Sequence, residues 1–348
     1  MRKTAALLIL TLCLSGCSSE KLQLYSIVTA AAFDMDENGY VMTIEESSGQ
    51  SEDGKELVPS VSSGQGKTVT ECFQDMQAQT GKTPYLRHTV LLIFSENIVK
   101  NSMQELGNYI LNDNDIRLNT RVMACKGKAG EIFEGEDFQS RRILKTTTGG
   151  AENMTSADIM LKDLLYCFYE EGIDGVLPLT SSGSTGGLAL LNGFDWAGEL
   201  EPGLVPAFLI ASGRAERGSI TARVGERWVS FDLTSCKSDM KAYIENGRAI
   251  ADLSVKISLK AEDRLTEGRE ECQAAVKNKL EKEIAEMFDI LRFSGSDALG
   301  LGQYLYRYDT ETWQKVAQSW KDTYYSQSLC RVNVQVELES SGKMKEAG

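Results

Sequence analysis

Two hydrophobic periods alternate along this chain. From Tyr25 to Phe33 the residues are mostly apolar, and the pattern resumes from Tyr40 to Ile44 after Asp36-Glu37-Asn38-Gly39. Turn-forming residues between two strand-like runs predict a β-hairpin. Residues 47–67 are rich in Ser and Gly and predict a loop or a poorly regular strand. Val69, Cys72, Phe73 and Met76 then fall at helical spacing. The run Thr89-Val90-Leu91-Leu92-Ile93-Phe94 is short and continuously apolar, as in a strand buried on both faces. A helix through Val99, Leu106 and Ile110 follows, and then a strand over Arg121–Cys125. Ser156 is placed to cap a helix carrying Leu161, Leu164, Leu165 and Phe168 on one side. This alternation of strand and helix argues for a mixed α/β unit.

The small residues from Thr180 to Gly187 predict a flexible linker. Beyond it, Ala207–Ile210 and Trp228–Leu233 look like strands. Leu253, Val255, Ile257 and Leu259 alternate with Ser254, Lys256, Ser258 and Lys260, the pattern of a half-buried strand. Val276, Leu280, Ile284, Met287, Phe288 and Leu291 share one stripe of a long helix. Asp309 is placed to cap a shorter helix with Trp313, Ala317, Trp320 and Tyr324 on a common face. Val332, Val334, Val336 and Leu338 alternate with polar residues in a closing strand. The expected fold class is α+β or mixed α/β, multidomain, with mixed sheets packed by helices. The expected segments are 1–16, 17–185 and 186–348, the last with room for two subdomains.

The first of those segments predicts an export signal. Arg2 and Lys3 precede an apolar run from Ala5 to Leu14, which ends in Leu14-Ser15-Gly16-Cys17. The run is too short to span a bilayer, which takes about 20 residues. A cysteine directly after Leu-Ser-Gly is the bacterial lipobox, so Cys17 is the expected lipidation site and first mature residue. Loss of residues 1–16 removes Arg2 and Lys3 and takes the formal charge from −13 to −15. A chain this acidic argues against nucleic acid as a partner, which needs a basic footprint. Net charge also disfavours adhesion to anionic lipid, which leaves the lipid chain to hold the protein. No second apolar segment is long enough to cross a membrane, so a channel or transporter is excluded for this chain alone.

Candidate chemistry is sparse. Cys72, Cys125, Cys167, Cys236, Cys272 and Cys330 follow Cys17 without any C-x-x-C pair, and several sit on apolar stripes. They read as reduced core residues rather than zinc ligands or redox groups. Asp34, Asp36, Asn38, Gly39 and Glu45 fit the spacing of a calcium-binding EF-hand loop. Real EF-hand loops join helices, and here both flanks read as strands, so a hairpin is expected instead. His88 is the sole histidine and has no nucleophile motif near it. Thr80-Gly81-Lys82-Thr83 lacks the first P-loop glycine, with Met76 in its place. Asp297-Ala298-Leu299-Gly300-Leu301-Gly302 reads as a turn, with Asp297 as cap and glycines at positive φ. Trp313 and Trp320, seven apart, share a helical face and suit core packing or an interface anchor.

An ordered set of these motifs carries a family resemblance. His88–Glu96, Leu111–Arg117 and Cys125–Ile132 are followed by Leu191–Leu200, the long helix, Asp297–Gly302 and the Trp313/Trp320 helix. The chain resembles the C-subunit lipoproteins of spore germination receptors, the Ger(x)C family, across nearly its whole mature length. Family members often continue the lipidated cysteine as Trp-Asp-x-Arg-Glu, whereas this chain has Ser18-Ser19-Glu20-Lys21-Leu22. The resemblance implies a non-enzymatic, lipid-anchored receptor subunit on the outer leaflet of the spore inner membrane. It implies two polytopic membrane subunits as partners and no cofactor or metal. It also ranks Asp297, Gly300 and Gly302, with Trp313 and Trp320, as a candidate interaction loop. The main rival is a lipid-anchored solute-binding protein, and an envelope hydrolase would need a nucleophile and base that the sequence does not display.

Overall fold

Strand pairing sorts the chain into two sheets. The computed structural model describes residues 24–50, 57–113, 115–135, 137–181, 184–261 and 268–339; the expected export signal and lipidation site at Cys17 lie outside them. The first part runs β1 (Tyr25–Asp36), β2 (Gly39–Gln50), β3 (Leu57–Gly66), α1 (Val69–Thr80), β4 (Thr83–Tyr85) and β5 (Leu91–Ser95). It continues through α2 (Glu96–Asn101), α3 (Met103–Asn112), β6 (Arg121–Cys125), α4 (Gln139–Glu152), α5 (Leu161–Tyr169), β7 (Val176–Ser181), β8 (Ser184–Asn192) and β9 (Asp195–Leu200). Its sheet has the order β3-β2-β1-β5-β6-β7-β8-β9, with β4 beside the start of β1. Strands β1, β5, β6 and β7 are parallel neighbours, and the outer strands are antiparallel.

The predicted two-faced burial of β5 is observed. Leu92 and Phe94 pack with Ile98, Val99 and Leu106 on one face. Leu91 and Ile93 pack with Ala30, Met123, Phe133 and Ile143 on the other. Parallel strands need crossover helices, and these cover both faces, so the central strands carry no polar side. Hairpin β1–β2 forms as expected, and Asp36 pairs directly with Gly39 across a two-residue turn. The Ser/Gly-rich stretch contributes β3, paired in register with β2, rather than a loop. Its glycines serve contact: a Cβ on Gly64 would lie 2.2 Å from the Cys72 carbonyl of α1.

The second part comprises α6 (Val205–Ala211), β10 (Ser219–Val224), β11 (Arg227–Glu245), β12 (Arg248–Ala261), α7 (Arg269–Phe293), α8 (Leu301–Tyr308), α9 (Thr310–Val316) and β13 (Leu329–Leu338). Its sheet has the order β10-β11-β12-β13, and only β13 is parallel to its neighbour. The alternating residues Leu253, Val255, Ile257 and Leu259 bury one face against Cys272, Val276, Leu280 and Ile284 of α7. That core is continuous with the core of the first sheet through α6. The fold class is the expected one, mixed sheets packed by helices.

Three local expectations are corrected. Ala207–Ile210 lies in a helix, α6, with a proline in its first turn. A four-residue apolar run has no readable period, and here it is buried on all sides. The expected linker Thr180–Gly187 spans the turn of the antiparallel β7–β8 hairpin, with residues 182–183 outside the described ones. The first sheet continues through β9 to Leu200. Ser156 does not cap α5; that helix starts at Leu161, and Asp163 accepts from the Met160 amide. Helix α4 had no counterpart in the hydrophobic pattern, since Thr146–Gly150 gives it little intrinsic propensity.

Candidate functional site at the junction of the two sheets

The residues of the candidate interaction loop come together where the chain after α5 meets the segment after α7. Asp297 is fully buried, and its Oδ1 accepts from the Leu301 amide at 2.8 Å. Its Oδ2 accepts from the Gly302 amide at 2.8 Å and from Trp320 Nε1 at 3.0 Å. A carboxylate capping the first amides of α8 follows from the free N–H groups at any helix start. Gly300 sits at φ +76°, which a side chain would strain. Trp313 and Trp320 meet edge to face with centroids 5.4 Å apart, and both are buried. Trp313 donates from Nε1 to Glu171 at 2.5 Å. The expected Tyr324 packs against this apolar group, and Tyr325, buried within it, donates to the Ser296 carbonyl at 2.6 Å.

The other half of the junction comes from residues that the sequence did not single out. Asp174, also buried, accepts from the Gly193 amide at 2.8 Å, from the Asp297 amide at 2.5 Å and from Lys321. Lys321 also donates to the Gly295 carbonyl at 2.9 Å. Backbone joins backbone as well: the Asp174 amide donates to the Asp297 carbonyl at 3.1 Å, and the Gln303 amide donates to the Gly172 carbonyl at 2.6 Å. A Cβ on Gly172 would lie 2.3 Å from the Gly302 carbonyl carbon, so the two chains can touch only where both residues are glycine. No periodicity could have paired Asp174 with Lys321 across 147 residues. The readable signal was a capping Asp followed by glycines at 297–302.

Electrostatics at this clasp are those of a closed interior. Burial is the largest influence on Asp297 and pushes its pKa up to about 6, against the pull of Lys321 and of the two capping amides. One lysine thus faces two carboxylates. Every carboxylate oxygen of Asp174 and Asp297 is engaged by a donor from this chain. The arrangement fastens segments far apart in sequence, and its side chains point inward.

The remaining candidates lie in the first sheet. The hairpin carboxylates hold backbone rather than forming one cluster. Asp34 accepts from the Ala129 and Gly130 amides at 2.8 and 2.9 Å. Glu45, buried, accepts from Thr29 at 2.8 Å and from the amide and hydroxyl of Ser140 at the start of α4. Beside Asp34, a crevice of about 730 Å³ opens at the carboxyl ends of β1, β5 and β6, flanked by Asp36, Glu96, Lys100, Lys128 and Glu131. His88 is exposed and lies against Tyr85, with ring centroids 5.9 Å apart. Gly81, in the P-loop-like stretch, ends α1 at φ 72°. The six cysteines after Cys17 are free thiols, and burial pushes those of Cys125 and Cys330 up to about 12. Among the described residues no helix is long and apolar enough to cross a membrane.

Comparison with known proteins agrees with this geometry. The family model described as "Spore germination protein N-terminal domain" matches residues 18–182. The model described as "Spore germination B3/ GerAC like, C-terminal" matches residues 186–342. Spore germination protein B3 of Bacillus subtilis (strain 168) is 21% identical over 373 aligned residues, covering 98% of each chain. Spore germination protein A3 of the same organism is 23% identical over 388, covering 96% of each. The crystal structure of the GerBC protein superposes with a TM-score of 0.59 at 14% identity, over 89% of this chain and 97% of that one, and shares its fold.

Proposed function

This chain belongs to the GerAC-like family of spore germination proteins, and from that premise we propose that it is the lipid-anchored, non-enzymatic C subunit of a germinant receptor. The observation that carries the reading is the match of both family segments, in order, across residues 18–342. The lipobox at Leu14–Cys17 supplies the anchor, with Cys17 acylated and residues 1–16 removed as a signal peptide. Two acyl chains give the stable tether that one does not. The protein then sits on the outer leaflet of the spore inner membrane and assembles with two polytopic subunits that respond to nutrients.

The clasp fits this role by making one body of two sheets, which keeps partner-facing surfaces in fixed relation. Its inward-facing residues Asp297, Gly300, Gly302, Trp313 and Trp320 act on partners by holding the outer surface of α8, where Tyr306 and Tyr308 are exposed. Deleting the gene is expected to block germination through one nutrient receptor and to leave sporulation intact. Cys17→Ala is expected to abolish lipid labelling and displace the protein from spore membranes. Affinity purification from those membranes should recover two polytopic partners; recovery of the chain alone would count against the reading. The crevice at the strand ends supports a second reading, a lipid-anchored solute-binding protein. Stoichiometric calorimetric binding of a small solute, lost in Lys100→Ala, would favour it.

A further inference from the structure

We infer that the amino-terminal rim of the first sheet is the surface the protein lays against an anionic phospholipid bilayer. The inference rests on the acylation of Cys17 proposed above. Six residues lie between Cys17 and Leu24, where the described chain begins. Such a segment spans at most about 25 Å when fully extended. The start of β1 is therefore held near the headgroups, whatever the rest of the body does.

The surface at that end is built from strand starts. Tyr25 pairs with Thr83, the Val90 amide donates to the Thr29 carbonyl at 2.9 Å, and the Arg121 amide donates to the Val90 carbonyl at 3.1 Å. The starts of β1 and β4 thus lie level beside the tether, and those of β5 and β6 lie level with Ala30, about 16 Å further along β1, so the rim is stepped. Leu24, Val90 and Leu118 expose 56%, 43% and 57% of their area there. Single exposed apolar residues are ordinary; here Leu24 lies at the tether, and Val90 and Leu118 lie on the step beyond it. The rim also differs from the rest of the molecule in charge. Arg87 pairs with Asp115 and Arg121 with Asp158, while the Asp163 carboxylate accepts from the Met160 amide. With Asp163 still charged, that leaves Lys82, Arg117 and Lys162 against Asp113 and Asp163, a small positive balance on a chain of net charge −13. The opposite end of the same strands is the acidic crevice around Asp34, Asp36, Glu96, Glu131 and Glu134. Apolar side chains among cations suit the interface of an anionic leaflet, and the acidic end is repelled from it.

Spin labelling of the full-length, acylated chain tests this. A nitroxide is placed at Leu118→Cys on the rim or at Lys128→Cys at the opposite end, and the unlabelled-site chain serves as background. Both positions are exposed, so neither variant disturbs packing. On phosphatidylcholine vesicles doped with phosphatidylglycerol, the ratio of oxygen to nickel-chelate accessibility should be several-fold higher at 118 than at 128. Arg117→Glu combined with Lys162→Glu should reduce that ratio on the doped vesicles. Vesicle-bound protein with equal ratios at the two positions would overturn the orientation while leaving the anchor standing. Protein that does not float with vesicles at all would remove the anchor, and the orientation with it.

Discussion

The centre of the first sheet and the clasp between the sheets bury comparable side chains by opposite means. Around Phe94 the interior is wholly apolar, with strands covered on both faces, so each residue is held by area and shape. Around Asp297 the interior contains two carboxylates, a lysine and two indole N–H groups, so each residue is held by a specific partner. An apolar core tolerates hydrophobic exchange but selects no unique register. A satisfied polar cluster costs desolvation and gives its geometry in return. The difference explains why the clasp sits where two sheets must meet in only one way.

The largest expected effects set the two regions side by side. Phe94→Ala should destabilise by about 3–5 kcal/mol, from lost burial and the cavity left behind. Asp174→Ala should cost about 3–5 kcal/mol as well, because Lys321 and the Gly193 and Asp297 amides lose their acceptor. Urea unfolding separates the causes: Phe94→Leu should recover most of the first loss, whereas Asp174→Leu should recover little of the second.

A smaller effect depends on pH. Asp297 has its folded pKa raised from 3.8 to about 6, so the folded state holds that proton more tightly than the unfolded one. Its contribution is full below about pH 4 and is lost as pH rises through about 6, a difference of about 3 kcal/mol. Lowered carboxyls such as Asp75 and Asp309 act in the reverse direction, so the comparison must be with Asp297→Asn. Wild type should lose stability relative to that variant between pH 4 and 7; parallel curves would show that Asp297 does not titrate in this window.

Between the two regimes lies Glu45, a buried carboxylate bonded to Thr29 and Ser140 at the edge of the apolar core. Glu45→Gln should cost about 1–3 kcal/mol by weakening its bonds to Ser140 and Thr29. Calorimetric titration of the wild type with calcium should give no binding heat, because Asp34 and Glu45 hold separate segments of backbone. The smallest effect is expected on the solvated face of the second sheet. Lys256 and Glu337 pair at 2.8 Å with more than half of each side chain exposed. Glu337→Gln should therefore change the thermal midpoint within the range of about 0.5 kcal/mol.

Much of this fold was legible in the chain, and the particular failures have physical reasons. The β1–β2 turn, the two-faced β5, the alternating β12 and the α7 stripe declare themselves because period and turn chemistry are local. The Asp309 cap is local too, and its carboxylate accepts from the Thr312 amide at 3.2 Å as its position implied. Helix α6 was misread because its apolar run has no polar positions to set a phase. Helix α4 was missed because much of its support is tertiary, through Glu45 at its first turn. Of the clasp, the sequence singled out Asp297, the glycines and both tryptophans, but not Gly172, Asp174 or Lys321.

By itself the sequence determined the elements that repeat a period, the acidic balance and the family. Those are set by neighbours within a turn or two of helix or by composition. Tertiary structure alone decided that an apparent linker is a hairpin, that a carboxylate pair shares one lysine and that the exposed Val90 and Leu118 lie at the end of the sheet opposite an acidic crevice. Each of these brings together residues tens to more than a hundred positions apart. A buried charge or an exposed leucine acquires its meaning from what surrounds it in space, which no local pattern records.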